Sequence, residues 1–285
     1  MRVVIGVDWS DQAFAAISQT FQLYHPTDVT VVHGIELGIL EHPFMAQAGN
    51  VQGYDDFRKA MVDSGHQLLE RAAAMIPPEV ASIRKVSEIG SPAQLILDSA
   101  ENLAADLIVV GVRGRSRLSE MVLGSVSHRV LLHGSRPTLI VRGAARKVQR
   151  VLIAIEERND ADRIVKWLTE HPLADPVELR VVHAVVPIGV IEPYVGPEIS
   201  AWLEDVQHYA EELVQSTAGK LLNPRYTVST KVAQGNPATV IEQEAKDMDL
   251  VVVTSHGRKG LSRFLLGSVS HAVVHHVSCP ILVLR

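Results

Sequence analysis

The amino-acid sequence predicts an α/β protein in which one doubly wound fold occurs twice. Two observations predict it. The chain repeats itself at an interval of 143 residues where the likeness is clearest, and each copy alternates apolar, strand-like runs with stretches of helical periodicity. Such alternation is typical of a parallel sheet covered by helices on both faces.

The repeat is clearest at the end of each copy. Residues 121–142 and 264–285 are identical at 12 of 22 positions without a gap. Shorter matches come before them in the same order, such as 107–110 with 250–253 and 90–93 with 235–238. Collinear similarity of this kind predicts two homologous domains. We place them at residues 1–143 and 149–285, with a short basic linker at about 143–150.

Within the first copy, near-continuously apolar runs indicate strands that are buried on both faces. The helix over 91–103 has a start signal, with Ser91 as N-cap and Pro92 in the first turn, and Asn236-Pro237 repeats it. Residues 36–54 are long for a loop and could form a lid over a ligand or be disordered. The strand runs are 3–7, 29–33, 107–110 and 138–141, and the helical stretches are 13–24, 57–75, 91–103 and 125–133.

Composition excludes several classes of protein. The net charge is -5 and neither half is a polycation, so we do not expect binding to nucleic acid. The single cysteine, Cys279, excludes a disulfide framework and a thiolate-rich metal site. No uncharged apolar stretch is long enough to span a membrane or to form the core of a signal peptide. We therefore expect a cytoplasmic protein that does not bind membranes.

A glycine-rich segment follows the apolar run 107–110. Gly111 and Gly114 end this strand, and Gly124-Ser125 opens the next helix. Glycines let backbone N–H groups approach a phosphate, and a helix N-terminus adds further N–H groups and a favourable dipole. Ser127 could add a hydroxyl and Arg113 a positive charge. From these residues alone, the segment is either a phosphate site or an ordinary turn.

Other motifs are weaker. The loop after the first strand, at Val7-Asp8, has no glycine and is no dinucleotide fingerprint, and the chain has no P-loop. His271 and His275 have the spacing of a metal pair, but no third ligand is obvious, so we predict no metal site. No nucleophile elbow is present, and we predict no catalytic residue.

The spacing Gly111-x2-Gly114-x9-Gly124-Ser125, in its strand–loop–helix context, resembles the ATP-binding signature of the universal stress protein family. The resemblance covers nearly the whole chain in two copies, as in tandem members. It implies an adenine nucleotide alpha hydrolase-like fold, with five parallel strands per domain in the order 3-2-1-4-5. It also implies that the last strands pair, so that the two copies form an internal pseudo-dimer, and that the whole chain forms a homodimer.

The resemblance also implies roles for residues of the first copy. Asp8 would accept hydrogen bonds from the ribose hydroxyls, and Val7 and Gly34 would contact adenine. A larger apolar residue is common at the position of Gly34, so its loss of contact area would weaken base stacking. The predicted nucleotide-binding residues of the first copy are Val7, Asp8, Gly34, Val110, Gly111, Arg113, Gly114, Gly124, Ser125, Val126 and Ser127.

The second copy departs from the signature at two positions. Thr254 replaces the first glycine, and Glu156 replaces the ribose-binding aspartate. We therefore expect the first domain to bind ATP more reliably than the second. The corresponding residues of the second copy are Ile155, Glu156, Ala184, Val253, Thr254, His256, Gly257, Gly267, Ser268, Val269 and Ser270.

As to function, the resemblance implies a regulatory protein of the stress response that binds ATP, with or without Mg²⁺. Two alternatives stay open. A slow ATPase or phosphotransferase is one, although no carboxylate pair, arginine finger or Walker-type lysine can be assigned. An interaction module without nucleotide is the other, and the intact first glycine motif argues against it.

Overall fold

The computed structural model describes residues 1–37, 53–112, 123–187, 197–255 and 266–285. Two compact units divide the chain. The first comprises Met1–Phe21 and His25–Ala145, and the second comprises Gln22–Tyr24 and Arg146–Arg285. The predicted site residues Arg113, Gly114, His256 and Gly257, and most of the long loop predicted over 36–54, lie outside the described residues.

The first half of the chain alternates strands and helices as the sequence predicts. Its elements are β1 (Arg2–Gly6), α1 (Asp11–Leu23), β2 (Asp28–Ile35), α2 (Tyr54–Ala73), β3 (Ser82–Ile89), α3 (Pro92–Asn102), β4 (Leu107–Gly111), α4 (Ser125–His133) and β5 (Thr138–Val141).

The second half repeats this order. Its elements are β6 (Arg150–Ala154), α5 (Arg158–Glu170), β7 (Val177–Val185), α6 (Pro197–Leu221), β8 (Tyr226–Gln234), α7 (Pro237–Glu244), a 3₁₀ turn (Ala245–Asp247), β9 (Leu250–Thr254), α8 (Ser268–His276) and β10 (Ile281–Leu284).

The sheet of each unit is parallel. In the first unit the strands lie in the order β3-β2-β1-β4-β5, and in the second unit the equivalent strands lie in the order β8-β7-β6-β9-β10. The predicted order 3-2-1-4-5 is therefore confirmed in both units. The predicted doubly wound α/β fold is confirmed as well.

Burial explains which strands the sequence predicts directly. All four residues of β5 and all four of β10 are buried, as are four of the five residues of β4. The outer strand β3 has the sequence SIRKVSEI and is half exposed. It lacks the apolar run that indicates a buried strand, and only the family resemblance implied its presence.

The helix starts of α3 and α7 differ in detail. Asn236 caps α7 as predicted, because its side chain accepts hydrogen bonds from the N–H groups of Ala238 and Thr239. Ser91 occupies the N-cap position of α3 with extended backbone, but its side chain makes no capping hydrogen bond. Among the helices of the described residues, none is long and apolar enough to cross a membrane.

Candidate functional site

A cavity lies at the carboxyl ends of the strands in each unit. In the first unit it is next to β1, where the strand order reverses, and this switch point is where doubly wound sheets bind ligands. Its volume is about 280 Å³. The predicted residues that line it are Val7, Asp8, Gly34, Val110, Gly111, Gly124, Val126 and Ser127, whereas Ser125 is exposed and not part of the lining.

The second unit has an equivalent cavity of about 430 Å³. Asp160 and His183, which the sequence analysis did not single out, also line it. The predicted residues that line it are Ile155, Glu156, Ala184, Val253, Thr254, Gly267, Ser268, Val269 and Ser270, which are all of those that the structure describes.

In the first unit, one end of the cavity carries the carboxylate of Asp8, just beyond β1. The N–H group of Ser10 donates to Asp8 Oδ1 at 2.9 Å, and the Ser10 hydroxyl donates to the same oxygen. A side chain bonded in this way to the backbone two residues later forms a turn that orients the carboxylate. The sequence Asp8-Trp9-Ser10 therefore holds an acceptor at the wall of the cavity.

The other end of each cavity is a helix N-terminus. Gly124 precedes α4 with extended backbone and has no side chain with which to cap the helix. The first bond within the helix runs from the His128 N–H group to Gly124 O at 2.9 Å. In α8 the equivalent bond, from His271 to Gly267, measures 2.8 Å. The N–H groups before these residues cannot bond within the helix, which makes each N-terminus suited to an anion.

The serine hydroxyls at these helix starts have a local role. Ser127 Oγ donates to Gly124 O at 3.1 Å, and Ser270 Oγ donates to Gly267 O at 3.0 Å. Each hydroxyl hydrogen is therefore bonded to the backbone and fixes the turn into the helix. In this arrangement the backbone N–H groups, rather than these hydroxyls, are the donors that face an anion.

A histidine borders the cavity in each unit, and the sequence analysis missed both. His33 Nδ1 lies 3.0 Å from Val7 O, and His183 Nδ1 lies 3.0 Å from Ile155 O. A carbonyl only accepts hydrogen bonds, so Nδ1 carries the hydrogen in both rings. The bond ties β2 or β7 to the residue just before Asp8 or Glu156. The signal in the sequence was the tripeptide Val-Val-His in both copies.

In the second unit, Thr254 stands at the position of Gly111 and forms a buried polar pair with Asp160. Thr254 donates its hydroxyl to Asp160 Oδ1, and Asp160 Oδ2 accepts from the N–H groups of Glu156 and Glu157 at 3.1 and 3.2 Å. Asp160 is 1% exposed. These hydrogen bonds, at the start of α5 where the helix dipole favours negative charge, stabilise the buried carboxylate.

An arginine follows the last strand of each unit at the same edge of the sheet. The N–H group of Val112 donates to Val141 O at 3.0 Å, so Arg142 lies next to Val112, the residue that follows β4. Arg285 has the equivalent place, since the Ser255 N–H group donates to Leu284 O at 2.8 Å. Arg142 is buried, and burial lowers the pKa of the Arg285 guanidinium. Their repeat at an offset of 143 was a signal that the sequence analysis did not use.

These features define a class: α/β proteins with two tandem doubly wound units, each with a cavity at its switch point between a carboxylate and a helix N-terminus. A family model described as the universal stress protein family matches residues 1–142 and again residues 147–285. The chain therefore belongs to the universal stress protein family, and its fold is adenine nucleotide alpha hydrolase-like.

Individual relatives agree with this assignment over the whole chain. A universal stress protein of Mycobacterium tuberculosis is 29% identical over 297 aligned positions, which cover 99% of this chain and 96% of that protein. One of Mycolicibacterium smegmatis is 27% identical, with the same coverage of 99% and 96%. The crystal structure of a universal stress protein from Archaeoglobus fulgidus superposes with a TM-score of 0.67 at 18% identity, covering 100% of this chain and 98% of that one.

Proposed function

We propose that each unit binds one adenine nucleotide, with ATP as the principal ligand, and that nucleotide occupancy is how the protein acts in a stress response. One observation carries the proposal: in each unit a single cavity reaches from the carboxylate of Asp8 or Glu156 to the N-terminus of a helix. A carboxylate accepts hydrogen bonds from sugar hydroxyls, and a helix N-terminus binds phosphate.

The residues present fit such a ligand. Within the described residues, neither cavity is lined by a lysine or an arginine. Phosphate charge would be met by backbone N–H groups and by the loops after β4 and β9, to which Arg113 and His256 belong. Mg²⁺, where it accompanies the nucleotide, would be held chiefly by phosphate oxygens and water.

The proposed role is binding rather than catalysis. Phosphoryl transfer requires cationic groups positioned on the transferred phosphate, and the sequence offers no assignable arginine finger or Walker-type lysine. A slow ATPase stays the alternative. A homodimer in the cytoplasm belongs to the same proposal, since a chain with a single cysteine fits a reducing compartment. Light scattering on the purified chain tests the dimer.

Extraction of bound nucleotide tests the proposal directly. The purified protein is denatured by heat, and the released nucleotides are separated by chromatography and counted per chain. ATP at one to two molecules per chain supports the proposal. ADP together with steady turnover of added ATP supports the slow ATPase, and an empty protein that ignores added ATP supports the interaction module.

Ser125→Glu locates the site. The new carboxylate stands at the first residue of α4, where the helix dipole favours it, so the fold should be retained. Like charges 4 Å apart repel by about 4 kcal/mol at an effective dielectric constant of 20. With solvent screening we expect nucleotide affinity in the first unit to fall by at least about tenfold.

Ser268→Glu is the same change at α8, and Ser216→Glu, on the exposed face of α6, is the matched control. Isothermal titration calorimetry measures the remaining sites. Unchanged ATP binding by the double variant Ser125→Glu with Ser268→Glu would contradict the placement of phosphate at these helix starts. Should Ser125→Glu fail to fold, Gly114→Glu in the preceding loop serves instead.

A further inference from the structure

The cavity walls of the two units differ at equivalent backbone positions. Gly6 and Ala154 end the equivalent strands β1 and β6, and they pair with the equivalent residues Val32 and Val182. Gly34 on β2 has Ala184 as its counterpart on β7. In both pairs, the first unit has a glycine where the second has a Cβ atom.

In the first unit both glycines allow close contact with α3. A Cβ atom on Gly6 would lie 2.4 Å from Ile96 Cδ1. One on Gly34 would lie 2.5 Å from Pro92 Cα and 2.8 Å from Pro92 N. The Ile96 side chain could rotate away, but the Pro92 atoms at the start of α3 are backbone and cannot. The first turn of α3 therefore lies directly against β2, at the edge of the cavity.

The second unit cannot adopt this spacing. Ala184 has the Cβ atom that Gly34 lacks, so α7 must lie farther from β7 than α3 lies from β2. The cavity of the second unit is the larger, at about 430 Å³ against about 280 Å³, and Met61 of α2 also lines the smaller one. Four apolar residues, Val182, Ala184, Pro237 and Ile241, line this side of the cavity next to His183. The second unit therefore has additional apolar space between β7 and α7.

We infer that the cavity of the second unit accepts adenine nucleotides with an apolar substituent on the base, and that the first unit excludes them. The inference rests on the proposed function: with the phosphates at the helix N-terminus and the ribose at Asp8 or Glu156, the base takes the remaining wall of the cavity, which Gly34 or Ala184 lines. The phosphates lie at the opposite end of the cavity, at the N-terminus of α4 or α8. Space for a substituent is therefore available at the base, where the wall is apolar, and not at the phosphates.

Binding to single-site variants tests the inference. Ser125→Glu leaves the second site and Ser268→Glu leaves the first. Each is titrated with ATP and with ATP that carries a benzyl or phenyl group at N6, C2 or C8. A misfit of one methylene in an apolar pocket changes affinity by about 10–200-fold. For at least one probe we expect affinity similar to that of ATP in the second unit and at least about tenfold weaker in the first.

Ala184→Val fills the additional space and tests whether this space is the reason that the second unit accepts the larger probe. We expect Ala184→Val to weaken binding of the larger probe in the second unit by at least about tenfold more than it weakens binding of ATP. Ala233→Val is the matched control, because Ala233 lies opposite Ala184 on the neighbouring strand β8 and does not line the cavity. Valine is favoured in strands, so both variants should fold.

The outcomes distinguish this inference from the proposed function. If ATP binds but no substituted nucleotide prefers the second unit, the inference is wrong and the proposed function stands. The inference is also wrong if Ala184→Val and Ala233→Val weaken the probe equally. If neither ATP nor any probe binds to the unmodified chain, the proposed function fails, and the inference fails with it.

Discussion

Gly111 and Thr254 occupy equivalent positions at the ends of β4 and β9, but they contact the neighbouring helix in different ways. A Cβ atom on Gly111 would lie 2.5 Å from Gln12 O, so the backbone at the start of α1 requires a glycine there. In the second unit Asp160 is the counterpart of Gln12, and its side chain accepts the hydroxyl hydrogen of Thr254. A hydrogen bond between side chains replaces a close backbone contact, and it keeps the helix attached to the strand next to the cavity.

Thr254→Ala should destabilise the protein by about 1–2 kcal/mol, because Asp160 is buried and would lose the hydroxyl hydrogen bond. Thr254→Ser keeps the hydroxyl and should recover most of this loss. Urea denaturation followed by circular dichroism measures both variants. If Thr254→Ala is as stable as the original chain, the hydrogen bond contributes nothing and the interpretation of the Thr254–Asp160 pair is wrong.

The sequence predicted that Thr254 replaces a glycine but not what Thr254 contacts. Asp160 is 94 residues away, and its partner depends on how the start of α5 meets the end of β9. The same limit applies to His33 and His183, whose bonds to Val7 and Ile155 join neighbouring strands. A single sequence indicates which residues occupy strand ends, whereas contacts between different strand ends depend on the tertiary structure.

At the scale of elements, the helix starts provide the sharpest comparison. The sequence predicts the same N-cap signal for α3 and α7, but only Asn236 makes capping hydrogen bonds, with donor–acceptor distances of 3.0 and 3.4 Å. Ser91 has the N-cap backbone conformation without a capping bond from its side chain. The residue types Ser and Asn before Pro identified both helix starts correctly. They did not indicate which of the two side chains stabilises its helix by a capping hydrogen bond.

Asn236→Ala should therefore cost about 1 kcal/mol of unfolding free energy, as loss of an N-cap usually does. Ser91→Ala is the matched control and should change stability by less than about 0.5 kcal/mol, because no capping bond is lost. Neither residue is among the described residues that line the two nucleotide cavities, so ATP binding should stay unchanged in both variants. Chemical denaturation of both variants tests this, and an equal loss would show that Ser91 caps α3 in solution.

The more deeply a strand is buried, the more clearly its sequence predicts it. The strands β1, β4 and β5 are almost completely buried and therefore consist of apolar runs. The outer strand β3 carries Arg84 and Lys85 on an exposed surface, and β8 alternates exposed and half-buried residues after Tyr226. Polar outer strands need no apolar run, because only one face is covered. The outer strands were therefore predicted from the family resemblance and not from hydrophobic periodicity.

At the scale of the whole molecule, repetition has preserved the fold and changed the sites. Both units keep the strand order, the uncapped helix N-terminus and the histidine at the strand end. They differ at three glycines of the first unit that lie in close contact with a helix, which are Gly6, Gly34 and Gly111. The expectation that the first domain binds ATP more reliably stays a prediction, and the larger cavity of the second unit makes per-unit measurement necessary.

The described residues that line each cavity belong to the same unit, so the two units should respond to nucleotide separately. A ligand at 100 times its Kd stabilises the state that binds it by about 2.7 kcal/mol. Amides that exchange only when that site opens should then exchange about 100-fold more slowly. Hydrogen exchange with mass spectrometry should show this protection with ATP in peptides from β4 and from β9.

Ser125→Glu separates the two responses within one molecule. In this variant we expect ATP to protect β9, whereas protection of β4 is lost, because the new carboxylate stands at the proposed phosphate site of the first unit and leaves the lining of the second cavity unchanged. Ser268→Glu should give the reverse pattern. Loss of protection in both units from either single variant would contradict separate sites, because it would mean that occupancy of one cavity controls the other.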